Sequence, residues 1–168
     1  MTASTDFEGV GKVVETTGIA RAQELVAEFH IAMLGAEAAP DWPVAMSDYN
    51  GDLRCSLIEE EGREFRSAWE SGDRLGMIDA LCDLLYVTLG AGVQMGVRLD
   101  PFFAAVHEAN MKKVGGLVRE DGKQLKPPGW MPPDIGGVYQ RTHGEFPAGE
   151  PRQETRNAEF GKLSPNPR

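Results

Sequence analysis

Hydrophobic positions along the chain recur with helical rather than strand periodicity. From about Thr17 to Leu34, residues Ala22, Leu25, Val26, Phe29 and Met33 fall on one helical face, and Gly35 follows as a stop. Residues 36–52, with Pro40, Pro43, Asn50 and Gly51, read as a connecting loop. A second helix is predicted from about Asp52 to Glu70, its apolar side made by Leu53, Leu57, Ile58, Phe65, Ala68 and Trp69. Ser71-Gly72-Asp73 ends it. A third helix, about Arg74 to Met95, is apolar nearly all round; between Leu75 and Gly96 its only charges are Asp79 and Asp83. Such a helix is expected at the centre of a bundle. Asp100-Pro101 predicts a fourth helix start, with an acidic cap and proline at the first position, running to about Val114 before Gly115-Gly116.

Beyond it, Leu117 to Leu125 predicts a short hairpin around Asp121-Gly122. Lys126 to Pro133 is a stiff, extended loop, and Asp134 caps a last short helix to about Arg141. The expected architecture is therefore all-α: a loose arm over 1–16, a helical-bundle domain over 17–141, and an irregular, polar tail over 142–168 that a partner subunit would order. No internal repeat is visible.

Composition narrows the function. The 168 residues suit a single domain able to bury a core without disulfide or metal staples. A net charge of −9 argues against nucleic-acid binding, since the phosphate backbone would repel the chain. The polar, acidic stretch Met1 to Glu8 lacks the features of a signal peptide, and the longest uncharged run, Leu84 to Val97, is shorter than the roughly 20 residues of a membrane span. Cys55 and Cys82 have no metal-ligand spacing and lie in apolar stretches, so they read as small buried hydrophobes of a reduced, cytoplasmic protein.

Several carboxylates fall where a solvated helix would not put them. Leu53, Leu57, Glu61, Phe65 and Ala68 form one stripe, so Glu61 interrupts an apolar face. Glu60 and Glu64 neighbour one another at a spacing of four, and Glu61 and Glu64 at three. Asp79 and Asp83 stand one turn apart on the otherwise uncharged third helix. Acids in apolar surroundings are costly unless protonated, paired or metal-bound, and carboxylates converging without basic partners suit a hard divalent cation, Mg²⁺ or Mn²⁺. A second set, His107, Asn110 and Lys113, recurs every three residues on the fourth helix, followed by Lys112, Arg119, Lys123 and Lys126. This basic patch in an acidic chain is what a polyphosphate requires.

The stretch Arg54-Cys-Ser-Leu-Ile-Glu-Glu-Glu-Gly-Arg-Glu-Phe65, then Met77-Ile-Asp-Ala-Leu-Cys-Asp-Leu-Leu-Tyr-Val-Thr-Leu-Gly90, resembles the all-α nucleotide pyrophosphohydrolases. This superfamily includes MazG, the dimeric dUTPases and phosphoribosyl-ATP pyrophosphohydrolase. The resemblance continues through Val106 to Lys113 and Asp121 to Trp130, and covers about Ala22 to Tyr139. It implies a MazG-like bundle in which a Glu-x-x-Glu pair, Glu61 and Glu64 with Glu60 preceding, and a Glu-x-x-Asp pair hold two or three Mg²⁺ or Mn²⁺ ions. Asp83 matches the last position, but Ala80 stands where the family has glutamate, and Asp79 is the candidate substitute. The resemblance further implies hydrolysis of a nucleoside triphosphate to monophosphate and pyrophosphate. Glu60 or Glu61 would take the proton; Asn110, Lys113, Lys123 and Lys126 would face the phosphates. Phe29, His30, Tyr86 and Trp130 would surround the base and sugar, and the chain would form a homodimer or homotetramer.

The large aromatic candidates incline the expectation to a purine such as dGTP or GTP, as in phage-type nucleotide-pool enzymes acting in host cytoplasm; dUTP is the alternative. A helical di-iron protein is disfavoured, because none of His30, His107 or His143 has a glutamate three residues before it. A non-catalytic nucleotide- or partner-binding bundle is the remaining alternative of another class.

Overall fold

The computed structural model describes residues 18–145. The arm over 1–16 and all but the first few residues of the tail lie outside the described residues. Five α-helices follow in order: α1 Gly18–Leu34, α2 Asp48–Ser71, α3 Arg74–Gln94, α4 Asp100–Met111 and α5 Ile135–His143. A single 3-10 turn, Ala36–Ala38, interrupts the first loop. The fold is all-α among the described residues; its one β-bridge, between Val118 and Gln124, closes the expected hairpin. There Gly122 takes a φ of 84° and its N–H donates to Arg119 O at 2.8 Å, the geometry that a glycine after Asp121 makes accessible.

α2 and α3 form an antiparallel hairpin with the most extensive contact in the chain, and α1 packs across α3. Their tight link has a local cause. Gly72 adopts the left-handed conformation that ends α2, and the Asp73 side chain accepts from Leu75 N–H at 3.1 Å and Gly76 N–H at 3.0 Å to start α3. The core is Val26 of α1 against Leu89 and Val93 of α3, with Ile19, Ala22, Ala27, Ala39 and Leu99 around it. Gln23 pins α1 to the link after α3: its Nε2 donates to Val97 O at 2.7 Å and its Oε1 accepts from Leu99 N–H at 3.0 Å. α4 and α5 pack chiefly on one another, with Phe102 and the His143 ring stacked at 6.1 Å.

Several boundaries differ from expectation. α2 begins at Asp48, not Asp52, because the Ser47 side chain caps it by accepting from Asn50 N–H at 3.2 Å; Asn50 and Gly51 are helical, not loop. α4 ends at Met111, and the chain then coils through turns to Gly115. Asp100 does not cap α4 but opens it, its carboxylate paired with Arg98. Asp134 does cap α5, accepting from Gly137 N–H at 2.8 Å, and that helix runs to His143.

The larger correction concerns α3. Among the described residues it is not buried all round. Ala80, Leu89, Gly90, Gly92 and Val93 are buried, whereas Leu75 is 79% and Leu85 is 53% exposed, with Ile78 and Leu81 also open. The reason is packing geometry: only α1 and α2 flank α3 extensively, so among the described residues its opposite face has no cover. Cys55 and Cys82 are likewise exposed free thiols rather than buried ones. By length and composition α3 is apolar enough to cross a membrane, but it carries Asp79 and Asp83 within it.

Candidate active site

The α2–α3 hairpin fixes the carboxylates. Glu60, Glu61 and Glu64 stand on α2; Asp79 and Asp83 stand on the antiparallel α3. Glu61 lies deepest. It is half-buried, and its Oε2 is shielded from solvent with no hydrogen-bond partner. Its pKa is raised above the ordinary carboxylate value by burial first, then by the charges of Glu64, Asp83, Glu60 and Asp79. These are the five residues singled out from sequence, and the charges of the other four all act on Glu61. Asp79 acts most weakly of the four on Glu61. Ala80, at the position of the expected glutamate, is buried.

None of the five carboxylates forms an ion pair among the described residues. Glu60, Glu64, Asp79 and Asp83 are exposed. Also among the described residues, no three His, Cys, Asp or Glu side chains stand close enough together to hold a metal ion as placed. The set nevertheless fits a hard divalent cation by its chemistry. All its donors are oxygens, one is an orphaned buried carboxylate oxygen, and the four exposed partners stand on two packed helices.

A second cluster forms around the end of α4 and the hairpin. Lys113 Nζ donates to Asn110 Oδ1 at 2.7 Å, which leaves the two N–H donors of the Asn110 amide for another acceptor. Asn110, Lys113, Lys123 and Gln124 line an open cleft of about 460 Å³. Gln124 Nε2 ties the hairpin to the turns after α4 by donating to Lys113 O at 2.9 Å and Gly116 O at 3.0 Å. The Trp130 ring lies beneath both Lys113 Nζ, 4.9 Å from its centroid, and Lys126 Nζ, at 4.5 Å, while its Nε1 donates to Ala109 O at 2.7 Å. Trp130 is thus grouped with the lysines, not with the other aromatic candidates. No hydrogen bond or ion pair among the described residues joins this cluster to the carboxylates.

The remaining base and sugar candidates do assemble. Phe29 and Tyr86 meet edge to face at 5.9 Å, and Phe29 lies 6.2 Å from the His30 ring. Both phenyl rings are partly open to solvent. Burial raises the Tyr86 pKa. His30 is 4% exposed, with its Nδ1 lacking a hydrogen-bond partner. Its pKa is lowered by burial and then by the Arg54 charge, against a smaller opposing contribution from the Ala38 backbone. Arg54, Gly90 and Gln94 complete this polar neighbourhood and were not marked as site residues by sequence. A signal was present: Arg54 precedes Glu61 by seven residues and Gly90 follows Asp83 by seven, so each shares a helical face with a candidate ligand. A separate cleft of about 300 Å³, between α1, Ala39–Asp41 and the end of α3, contains none of the sequence-predicted residues, and the Gln23 amide at its wall is already bonded to backbone.

The family model for phosphoribosyl-ATP pyrophosphohydrolase matches residues 26–110. That stretch runs from α1 to near the end of α4. It contains all five carboxylates and Asn110 but stops short of Lys113, the hairpin and Trp130. No curated protein matches the chain.

Proposed function

Because the chain belongs to the phosphoribosyl-ATP pyrophosphohydrolase family, within the MazG-like all-α superfamily, it is a nucleotide pyrophosphohydrolase, and we propose that it cuts a nucleoside triphosphate to monophosphate and pyrophosphate. The observation that carries this reading is Glu61: a half-buried carboxylate with an orphaned oxygen, set among four more carboxylates on packed helices. A half-buried carboxylate with those charges beside it favours a proton or a bound cation.

Glu61, Glu64 and Asp83 would hold Mg²⁺ or Mn²⁺, two or three ions with Glu60 and Asp79 contributing at the rim. A cation so held supplies positive charge to a phosphoryl oxygen and acidifies water. Glu60, exposed beside Glu61, or Glu61 itself would accept the proton of the attacking water. Lys113 and Asn110, with Lys123 and Lys126, neutralise the charge on the departing pyrophosphate. Phe29, His30 and Tyr86 hold the base. A purine such as dGTP or GTP is favoured over dUTP by the extent of that aromatic surface. The family's name adds phosphoribosyl-ATP, another purine nucleotide, as a second reading.

The face of α3 that the described residues leave open supports self-association into a homodimer or homotetramer: Leu75, Ile78, Leu81 and Leu85 are open to solvent. Asp79 and Asp83 on the same helix would be costly in lipid, which favours a protein partner over a membrane. A cytoplasmic location accords with that reading.

The test is pyrophosphate release from a panel of common NTPs and dNTPs and phosphoribosyl-ATP, with Mg²⁺ or Mn²⁺. Release of pyrophosphate from one or a few purine nucleotides is expected. No release from any of them would leave a binding protein rather than an enzyme.

A further inference from the structure

Arg54 is 9% exposed, and no carboxylate pairs with it among the described residues. Its Nε donates to Gln94 Oε1 at 2.9 Å, which fixes the plane of the guanidinium and leaves both terminal nitrogens uncommitted to any protein carboxylate. A cation kept at such a depth without a counter-charge is destabilising unless something binds it. The surroundings say what. A Cβ at Gly90 would lie 3.1 Å from Arg54 Nη1 and 3.2 Å from both Cε1 and Nε2 of His30, so the bare backbone there lets guanidinium and imidazole converge on α3. Tyr86 lies one turn before Gly90 on α3, and Phe29 adjoins both Tyr86 and His30.

Arg54 lies two turns from Glu61 along α2, and Gly90 two turns from Asp83 along α3, about 10 Å in each case. A nucleotide separates its α-phosphorus from the far edge of its base on this scale. With the α-phosphate at the carboxylates, the base therefore falls against Phe29 and Tyr86, with one edge at Arg54.

Resting on the pyrophosphohydrolase reading of the carboxylates, we propose that Arg54 is the specificity-determining residue: its terminal nitrogens donate to O6 and N7 of a guanine stacked against Phe29 and Tyr86. A guanidinium is a donor only, so it matches the paired acceptors of guanine. It meets an amino donor beside N7 in adenine, and uracil offers no second acceptor in that geometry. A phosphate at Arg54 is disfavoured, because the neighbours are aromatic rings and a buried imidazole and because the lysines gather elsewhere, around Trp130.

The experiment is equilibrium binding of α,β-imido analogues of dGTP, dATP and dUTP, with Mg²⁺, to the full chain and to Arg54→Lys and Arg54→Gln. The wild type is expected to prefer the guanine analogue. Both variants should lose about ten- to a hundred-fold for it and little for the others. The 7-deaza form of the guanine analogue, which lacks the N7 acceptor, should bind the wild type more weakly but Arg54→Gln no more weakly than its parent. This comparison on the wild type needs no variant to fold. An equal loss for all three bases in folded variants would assign Arg54 to phosphate or to packing and overturn the proposal. So would a wild type without guanine preference. Because binding is read without turnover, guanine selectivity with no pyrophosphate release would sink the enzymatic reading while leaving the Arg54 assignment standing.

Discussion

Replacing Gln23 by methionine should weaken the fold by a magnitude that follows from two bonds. Gln23 is buried, and its amide joins α1 to the link between α3 and α4 through Val97 O at 2.7 Å and Leu99 N–H at 3.0 Å. Methionine has nearly the same length and volume, so little cavity forms. What remains is a carbonyl and an N–H without partners, and Val97 is itself buried. Each stranded backbone group costs about 1–3 kcal/mol. Methionine is cheaper to desolvate than the amide, so the net loss is about 2–4 kcal/mol. Urea unfolding at one fixed protein concentration should show a lower midpoint with an unchanged slope. A loss below about 0.5 kcal/mol, the scale of an inert surface substitution, would refute the view that this amide clamps α1 in place. The clamp matters for the site because α1 carries Phe29 and His30 to Tyr86 and Gly90.

Glu61→Gln should abolish turnover while stabilising the metal-free protein. The native chain holds the Glu61 proton more tightly than the unfolded chain, so stability falls as pH rises from the ordinary carboxylate range through the raised pKa; the variant should flatten that limb in thermal melts with EDTA. An unchanged pH profile would contradict the carboxylate field. Lys113→Ala should lower kcat/KM by about a hundred-fold, the scale of removing one charge-stabilising donor. Unchanged kcat/KM would remove Lys113 from the phosphate site. Leu85→Lys, on the open face of α3, should shift the mass measured by light scattering toward the monomer; the same oligomer in wild type and variant would place the interface elsewhere.

Helical periodicity made α1 and α3 legible in sequence, and the Asp134 cap and the Asp121-Gly122 turn were each readable from one or two residues. The start of α2 was not, because Asn50-Gly51 reads as a turn until the Ser47 cap two residues before Tyr49 is seen to extend the helix over it. Glu61, Asp79 and Asp83 stand out in sequence because each breaks a hydrophobic pattern that is otherwise kept, and Glu60 and Glu64 by their spacing beside Glu61. Arg54 was harder. An arginine on a helix is ordinary, and only tertiary packing against His30 and Gly90 makes it a buried cation without a counter-charge. Which side of α3 stays open is unreadable for a related reason: periodicity reports that a helix is apolar, not which neighbour covers each side. Trp130, as an aromatic, was grouped with the base candidates; its placement under Lys113 and Lys126 depends on the loop after the hairpin folding back to Ala109 O, a contact no local pattern encodes.

On the proposed reading, the α2–α3 carboxylates bind a divalent cation. Titration of Mn²⁺, followed by loss of the free-ion electron paramagnetic resonance signal, tests it without substrate. Saturable binding of at least one ion by the wild-type chain is expected, with its loss in folded Asp83→Asn and Glu64→Gln. Equal Mn²⁺ binding by the wild type and both variants, or none by the wild type, would contradict it.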